Sequence, residues 1–262
     1  VRAAIDSSRP VVALESAVLT HGLPRTPAGF RPEGSDEAFD PNGPLNREVA
    51  RLMERVVRSR GAVPATMAVI DGRMHIGLTG EEVDRLAADR SAIKASVREL
   101  PLALVKGQSA GLTVAGVLQV CTRIDSPIRV FATGGIGGVH PGFAESLDIS
   151  ADLTMLARAD VCVVCAGAKS LLDLSATIEA LETLSVNVVG FRTDLFPRFV
   201  TRADASLRVP ARLDTVDDIA GLCRARWSTV AARGAVVVTN PLPDDRCLEE
   251  GVFNAAMAEA SR

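Results

Sequence analysis

Short apolar runs and glycine-punctuated polar stretches alternate along this chain, and the apolar spacing switches between two periods. Val11–Leu14 is a compact apolar run of strand type. In Asn46–Arg60 the apolar residues Val49, Leu52, Met53, Val56 and Val57 recur at helical spacing, which predicts an amphipathic helix ended by Gly61. Thr66–Ile70 and Met74–Ile76 flank Asp71-Gly72, the signature of a tight hairpin. Helices are predicted over Glu81–Asp89, Thr113–Ile124, Asp152–Ala159, Ser170–Leu184 and Thr215–Arg233. Strands are predicted over Arg129–Ala132, Val161–Cys165, Val186–Phe191 and Ala235–Thr239.

Strands that alternate with helices argue for an α/β protein, a three-layer α/β/α arrangement on a central mixed, mostly parallel sheet. No repeat or linker interrupts the pattern, so one domain is expected over residues 1–262. The stretch Pro24–Pro44 departs from it. Rich in Gly, Pro and acids and without apolar period, it reads as a long surface loop, with a lid as a further possibility.

Composition narrows the function classes. The chain has 262 residues, 47% of them hydrophobic, and a net charge of −3. Its mean hydropathy is +0.21 and its pI 5.7. Tyr is absent and there is one Trp, so nucleic-acid binding, which needs phosphate-neutralising cations and usually stacking rings, is not expected. A small phosphorylated ligand stays open, since it needs only a few cations and amides. No apolar stretch is long enough for a bilayer, and the first residues lack a signal-peptide pattern. Five cysteines, an odd number, suit a reducing compartment, and a cytoplasmic protein is expected. Cys162 and Cys165 fall within a strand-like run and read as core residues.

Four segments place unusual polar residues beside apolar strands. In VCVVCAGAKS, Lys169 follows a buried strand, where open α/β sheets put their chemistry. Burial there disfavours an ammonium, and a neutral amine is a nucleophile toward carbonyl-like carbon. The commoner fate of a lysine at a strand end is to snorkel to solvent. In ALESAVLTHGLP, Glu15 also follows a strand directly and can hold or give a proton, or simply cap a helix. ATGGIGGVHPG lacks the G-x-G-x-x-G spacing of dinucleotide sites. Its glycines allow close backbone approach to a ligand, and His140 can orient water or a substrate oxygen, although a lone histidine is more often structural. In LDISADL, Asp148, Ser150 and Asp152 alternate. On an extended segment they would share one face and could hold a hard cation or sugar hydroxyls, while Asp152 could instead cap the next helix. Lys94, near Ser96 and Arg98, is a further cation suited to phosphate, although a lone lysine more commonly sits on a solvated helix face.

Taken together, VALES…THG, GAVPATMAVIDG, KASVRELP, VFATGGIGGVHPG, DISADL, VCAGAKSLLDL, ALETLSVNVVG and TNPLP resemble the pseudouridine-5′-phosphate glycosidase family, which includes the indigoidine synthase A-like proteins. The likeness runs from Val11 to Pro243 in the family's order. It implies a reversible lyase of the carbon-oxygen, hydro-lyase class that converts pseudouridine 5′-phosphate and water to uracil and ribose 5-phosphate. It implies a divalent metal, Mn2+, an α/β/α fold and a homotrimer. By motif, Lys169 would be the covalent, Schiff-base nucleophile, Glu15 the proton donor and Asp148 the metal ligand. Lys94, Val114, Ser150, Ala151 and Asp152 would contact substrate, with His140 and Asn240 as further pocket residues. The family's C-terminal helical region is expected to be missing here. A Schiff-base aldolase acting on a sugar phosphate and a non-catalytic ligand-binding relative are the alternative readings.

Overall fold

A computed structural model describes residues 1–32, 35–123 and 128–260. The chain packs as two compact units, Val1–Arg129 and Val130–Arg262, each built on paired strands covered by helices.

The first unit comprises α1 (Arg2–Asp6), β1 (Val11–Leu14), a π-turn over Val18–Gly22, α2 (Leu45–Ser59), β2 (Val63–Ile70), β3 (Arg73–Ile76), α3 (Gly80–Ala88), β4 (Ile93–Ala95), α4 (Leu100–Val105), β5 (Ala110–Leu112) and α5 (Val114–Cys121). Its strands lie in the order β4-β5-β2-β1, with β3 also on β2. β1 runs parallel to β2, and β4 parallel to β5 with Lys94 opposite Gly111. β2 meets β3 and β5 antiparallel. The hairpin forms where predicted, because Asp71 (φ 49°) and Gly72 (φ 71°) both take the left-handed backbone its turn needs. Thr79 caps α3 in a reciprocal capping box with Glu82. Thr113 caps α5, and the expected last residue of that helix, Ile124, lies outside the described residues.

α2 reverses one expectation. Its apolar stripe is not what it buries: Val56 is 51% exposed, while Asn46, Glu48, Ala50 and Glu54 are buried. The inward polar groups are all satisfied. Glu54 accepts from the Thr66 hydroxyl at 2.6 Å and from Arg58 at 3.0 Å. Glu48 accepts from Asp40 N at 3.2 Å and pairs with Arg47 at 2.8 Å. The Asn46 amide donates to Leu19 O and Ala87 O. Hydrogen bonding, rather than the hydrophobic stripe, thus orients this helix. The described part of the Pro24–Pro44 segment holds no helix or multi-residue strand; one bridge, Pro27 to Pro44, closes it, and Phe39, 1% exposed, anchors it. Residues 33–34 of that segment lie outside the described residues.

The second unit comprises β6 (Val130–Ala132), α6 (Phe143–Ser146), α7 (Ala151–Leu156), β7 (Cys162–Cys165), α8 (Leu174–Thr183), β8 (Asn187–Phe191), β9 (Ala211–Leu213), α9 (Val216–Arg224), β10 (Val236–Thr239) and α10 (Glu250–Ala260). Its strand order is β6-β7-β10-β8-β9, with every neighbouring pair parallel. Parallel strands are covered on both faces, and β10 is accordingly an unbroken buried run, Val236 to Thr239.

Two predicted helices are shorter than their apolar patterns. α8 starts at Leu174 rather than Ser170, because Ala168 and Asp173 are bridged to Ile136 and Val139 before the helix begins. The helix expected to reach Arg233 instead gives way to a π-turn at Ala225–Thr229. There the buried Arg226 guanidinium donates to Gly234 O, Ser185 O, Arg233 O and Asn187 Oδ1, and Trp227 Nε1 donates to Gly234 O. A continued α-helix would have to leave that set of acceptors.

Candidate active site

In the second unit, chemistry gathers where β6 and β7 end. β7 runs straight into Ala166–Ser170, and that segment is held by backbone groups. Thr133 N donates to Val164 O, Ala166 N to Gly134 O, Ile136 N to Gly167 O, and Lys169 N to Ile136 O at 3.1 Å. These rungs prolong the parallel pairing past both strand ends and fix the main chain of Lys169, whose side chain is half-buried. On the other flank, Phe199 N donates to Ala166 O. Gly167 is required here: its φ is +85°, and a Cβ would lie 2.0 Å from Pro197 O. Ser170, which follows the lysine, donates its hydroxyl to Arg198 O. Asn240 sits directly after β10, exposed, with its N–H on Cys165 O at 2.8 Å.

The glycine cluster continues into a tight two-stranded crossing. His140 N donates to Asp148 O and Ser150 N to Gly138 O, around the Val139–Ile149 bridge. Buried Thr177 supports it: its Oγ1 accepts from Val139 N at 3.0 Å and donates to Asp173 O at 2.6 Å. The expected shared face of Asp148, Ser150 and Asp152 does not form, because helix α7 begins at Ala151 and ends the alternation. Ser150, not Asp152, is the cap; its Oγ accepts from Asp152 N. Asp152 is buried and accepts from Gly137 N at 2.8 Å, whereas the Asp148 side chain is 62% exposed. Ala151 is exposed at the first position of α7.

Among the described residues no group of three or more His, Cys, Asp or Glu side chains could hold a metal ion. What exists is one open carboxylate, Asp148, with His140 Nδ1 3.8 Å away. Among the described residues that donor set makes no closed zinc cage. One hard oxygen open to solvent fits a divalent ion that keeps most of its own waters.

In the first unit, Glu15 is half-buried at the end of β1 and engaged in interactions of its own. The next residue fixes its backbone. Ser16, fully buried, donates its hydroxyl to Met67 O on β2 and accepts from Leu112 N on β5 at 2.9 Å; its own N–H reaches Leu112 O. A single serine therefore joins β1's end to two strands. Val114, the first residue of α5, is buried, 1% exposed. Lys94 is exposed on β4. Sequence reasoning missed Ser16, Thr177 and His21. The first two are hydroxyls in otherwise apolar surroundings; the third lies in the THG string directly past the Glu15 turn.

The cysteines are free thiols. Burial pushes Cys121 and Cys165 up to about 12. Both are buried, inert thiols, and Cys165 with Cys162 is the core residue its strand pattern predicts.

Comparison with known proteins places this architecture. The family described as indigoidine synthase A like protein matches residues 41–262. Proteins named pseudouridine-5′-phosphate glycosidase from Saccharopolyspora erythraea and Symbiobacterium thermophilum are each 46% identical, covering 99% of this chain and 78% and 79% of their own lengths. The crystal structure of the prealnumycin C-glycosynthase AlnA in complex with ribulose 5-phosphate superimposes with a TM-score of 0.81 at 38% identity, over 98% of this chain and 76% of that one. An indigoidine synthase A-like protein from Thermotoga maritima gives 0.80 at 30% identity, over 96% and 77%. The fold is the expected α/β class with a mixed, mostly parallel sheet and flanking helices, and the chain belongs to the indigoidine synthase A-like family.

Proposed function

We propose that this protein is a pseudouridine-5′-phosphate glycosidase, cleaving the C–C glycosidic bond of pseudouridine 5′-phosphate to give uracil and ribose 5-phosphate. The observation that carries the reading is the 46% identity, across 99% of the chain, with relatives bearing that name. The sugar phosphate bound by the C-glycosynthase AlnA supports the substrate class.

The bond to be broken explains the residues. Ordinary glycosidases protonate a heteroatom leaving group with one carboxyl. In pseudouridine the leaving atom is carbon, and no lone pair is there to protonate. An amine solves this. Lys169 Nζ bonds to C1′ and the C1′–O4′ bond breaks, its electron pair going to O4′, which takes a proton. The ammonium formed at Nζ gives up a proton; the nitrogen lone pair so regained then forms the iminium as the C1′–C5 bond breaks, and uracil C5 takes up the electrons and a proton. Water hydrolyses the iminium, releasing ribose 5-phosphate and the amine. Glu15 supplies or removes one of these protons. The rungs that pin the Lys169 backbone hold the nucleophile in place through all steps.

Lys94, Val114, Ser150, Ala151 and Asp152 contact substrate in this reading, with His140 and Asn240 at the pocket. Asp148 would hold a hydrated Mn2+, which supplies positive charge for orienting waters and uracil oxygens. The whole chain acts as one functional domain, as a homotrimer, in the cytoplasm; no helix among the described residues is long and apolar enough to cross a membrane.

The test is to incubate the protein with pseudouridine 5′-phosphate and Mn2+ and follow free uracil. Lys169→Ala is expected to lower the rate by roughly 10⁴-fold with the fold intact, the scale of losing a covalent nucleophile. Glu15→Ala is expected to lower kcat far more than it raises KM. Turnover near the parent's by the lysine variant overturns the assignment. Borohydride trapping with an aldol-type sugar phosphate but not with pseudouridine 5′-phosphate would favour an aldolase.

A further inference from the structure

The first unit holds a group of positive charges that neither Lys169 nor Glu15 chemistry requires. Lys94 on β4 stands opposite Gly111 on β5. The π-turn Val18–Gly22 is seated on that glycine: a Cβ at Gly111 would lie 2.1 Å from Thr20 Oγ1 and 2.7 Å from Ser16 O. Missing bulk at Gly111 thus lets the turn come down beside Lys94. Thr20 Oγ1 is 2.8 Å from His21 Nδ1, which fixes the imidazole and leaves Nε2 as its other polar atom. His21 is exposed. Arg25 ties the chain just after the turn back to it, donating to Thr20 O at 3.0 Å and to Asp89 O at 2.9 Å.

None of the ion pairs among the described residues engages His21, Arg25 or Lys94. The Asp89 carboxylate accepts from Ser91 N and Oγ, and Glu48 on α2 pairs with Arg47. Partial burial and the charges of Lys94 and Arg25 hold the His21 pKa below its ordinary 6.5, so an anion seated among these groups would offset that and favour the protonated ring.

We propose that His21 and Lys94 clasp the phosphate monoester of the substrate, with Arg25 as a positioning residue that holds the His21 turn and adds positive charge. The proposal rests on the reading of a phosphorylated substrate. What it adds to the contact expected of Lys94 is a second ligand, His21, and a reason for Gly111. Nε2 of the protonated ring donates to a phosphate oxygen, and the Lys94 ammonium donates to another; both are charge-assisted hydrogen bonds.

Two measurements test it. In the first, His21→Gln and the parent enzyme turn over pseudouridine 5′-phosphate and unphosphorylated pseudouridine. The variant is expected to raise KM for the phosphorylated substrate about tenfold, the effect of one such bond, and to leave kcat/KM for pseudouridine unchanged. Equal losses on both substrates, or no loss, overturn the clasp. In the second, the His21 ring is followed by NMR while inorganic phosphate, ribose 5-phosphate or ribose is added. Phosphate and ribose 5-phosphate are expected to raise the His21 pKa, and ribose to leave it alone. A ring insensitive to both phosphates sinks the proposal. This second readout needs no turnover, so a protein inactive on pseudouridine 5′-phosphate but phosphate-responsive at His21 would lose the proposed reaction and keep the clasp.

Discussion

The two units hold their candidate catalytic residues by opposite means. In the first, Glu15 depends on a side chain: the Ser16 hydroxyl donates to Met67 O and accepts from Leu112 N. In the second, Lys169 depends on the lack of one: backbone rungs to Ile136 and Gly134 carry the segment, and glycine at 167 lets the Pro197 carbonyl pass where a Cβ would stand. A hydroxyl hub can be weakened by degrees. A glycine in the left-handed region, packed against backbone, has no tolerant substitute. Mutational sensitivity at the two places should therefore differ in kind.

Gly167→Ala should have the largest effect. The added methyl meets backbone rather than a flexible side chain, so about 3 kcal/mol of stability is expected to be lost, together with most activity. Chemical denaturation and uracil release measure the two; near-parent stability would show that the segment can shift and that the contrast is overstated. Ser16→Ala comes next. It leaves the buried Leu112 N–H without its hydroxyl partner, an expected loss of about 2 kcal/mol with a graded fall in kcat. A collapse as large as that of Gly167→Ala would erase the distinction. Asp173→Ala, which removes the cap accepting from Ala176 N on α8, should cost only about 1 kcal/mol and leave kcat alone, since it touches the helix behind the glycine loop and not the loop's rungs.

Much of this was legible in the sequence where local and tertiary demands agree. β1, the Asp71-Gly72 hairpin and the buried run of β10 follow their apolar patterns closely. The reading failed where hydrogen bonding overrode hydrophobicity. α2 turns Asn46, Glu48 and Glu54 inward, which no moment of apolar residues foretells. Short strands such as Ile93–Ala95, Ala110–Leu112 and Ala211–Leu213 escaped because three residues carry no period. At the site, Lys169 and Glu15 were visible as polar residues closing apolar strands. His21 was not, since its meaning comes from Gly111, ninety positions along the chain. Asp148 and Asp152 stand in one alternating string, and a helix start between them sends one to solvent and the other to Gly137.

Asn46 offers a last lesson. Its carboxamide closes the carbonyl of Leu19, within the π-turn, at 2.8 Å and that of Ala87, at the tail of α3, at 3.0 Å. Aspartate has the same shape but would set oxygen against oxygen at both ends, and leucine would strand two carbonyls. One planar group thus makes the histidine-bearing turn and a neighbouring helix a common mechanical piece, so any adjustment of the turn to an incoming anion must be shared with α3 or resisted by it.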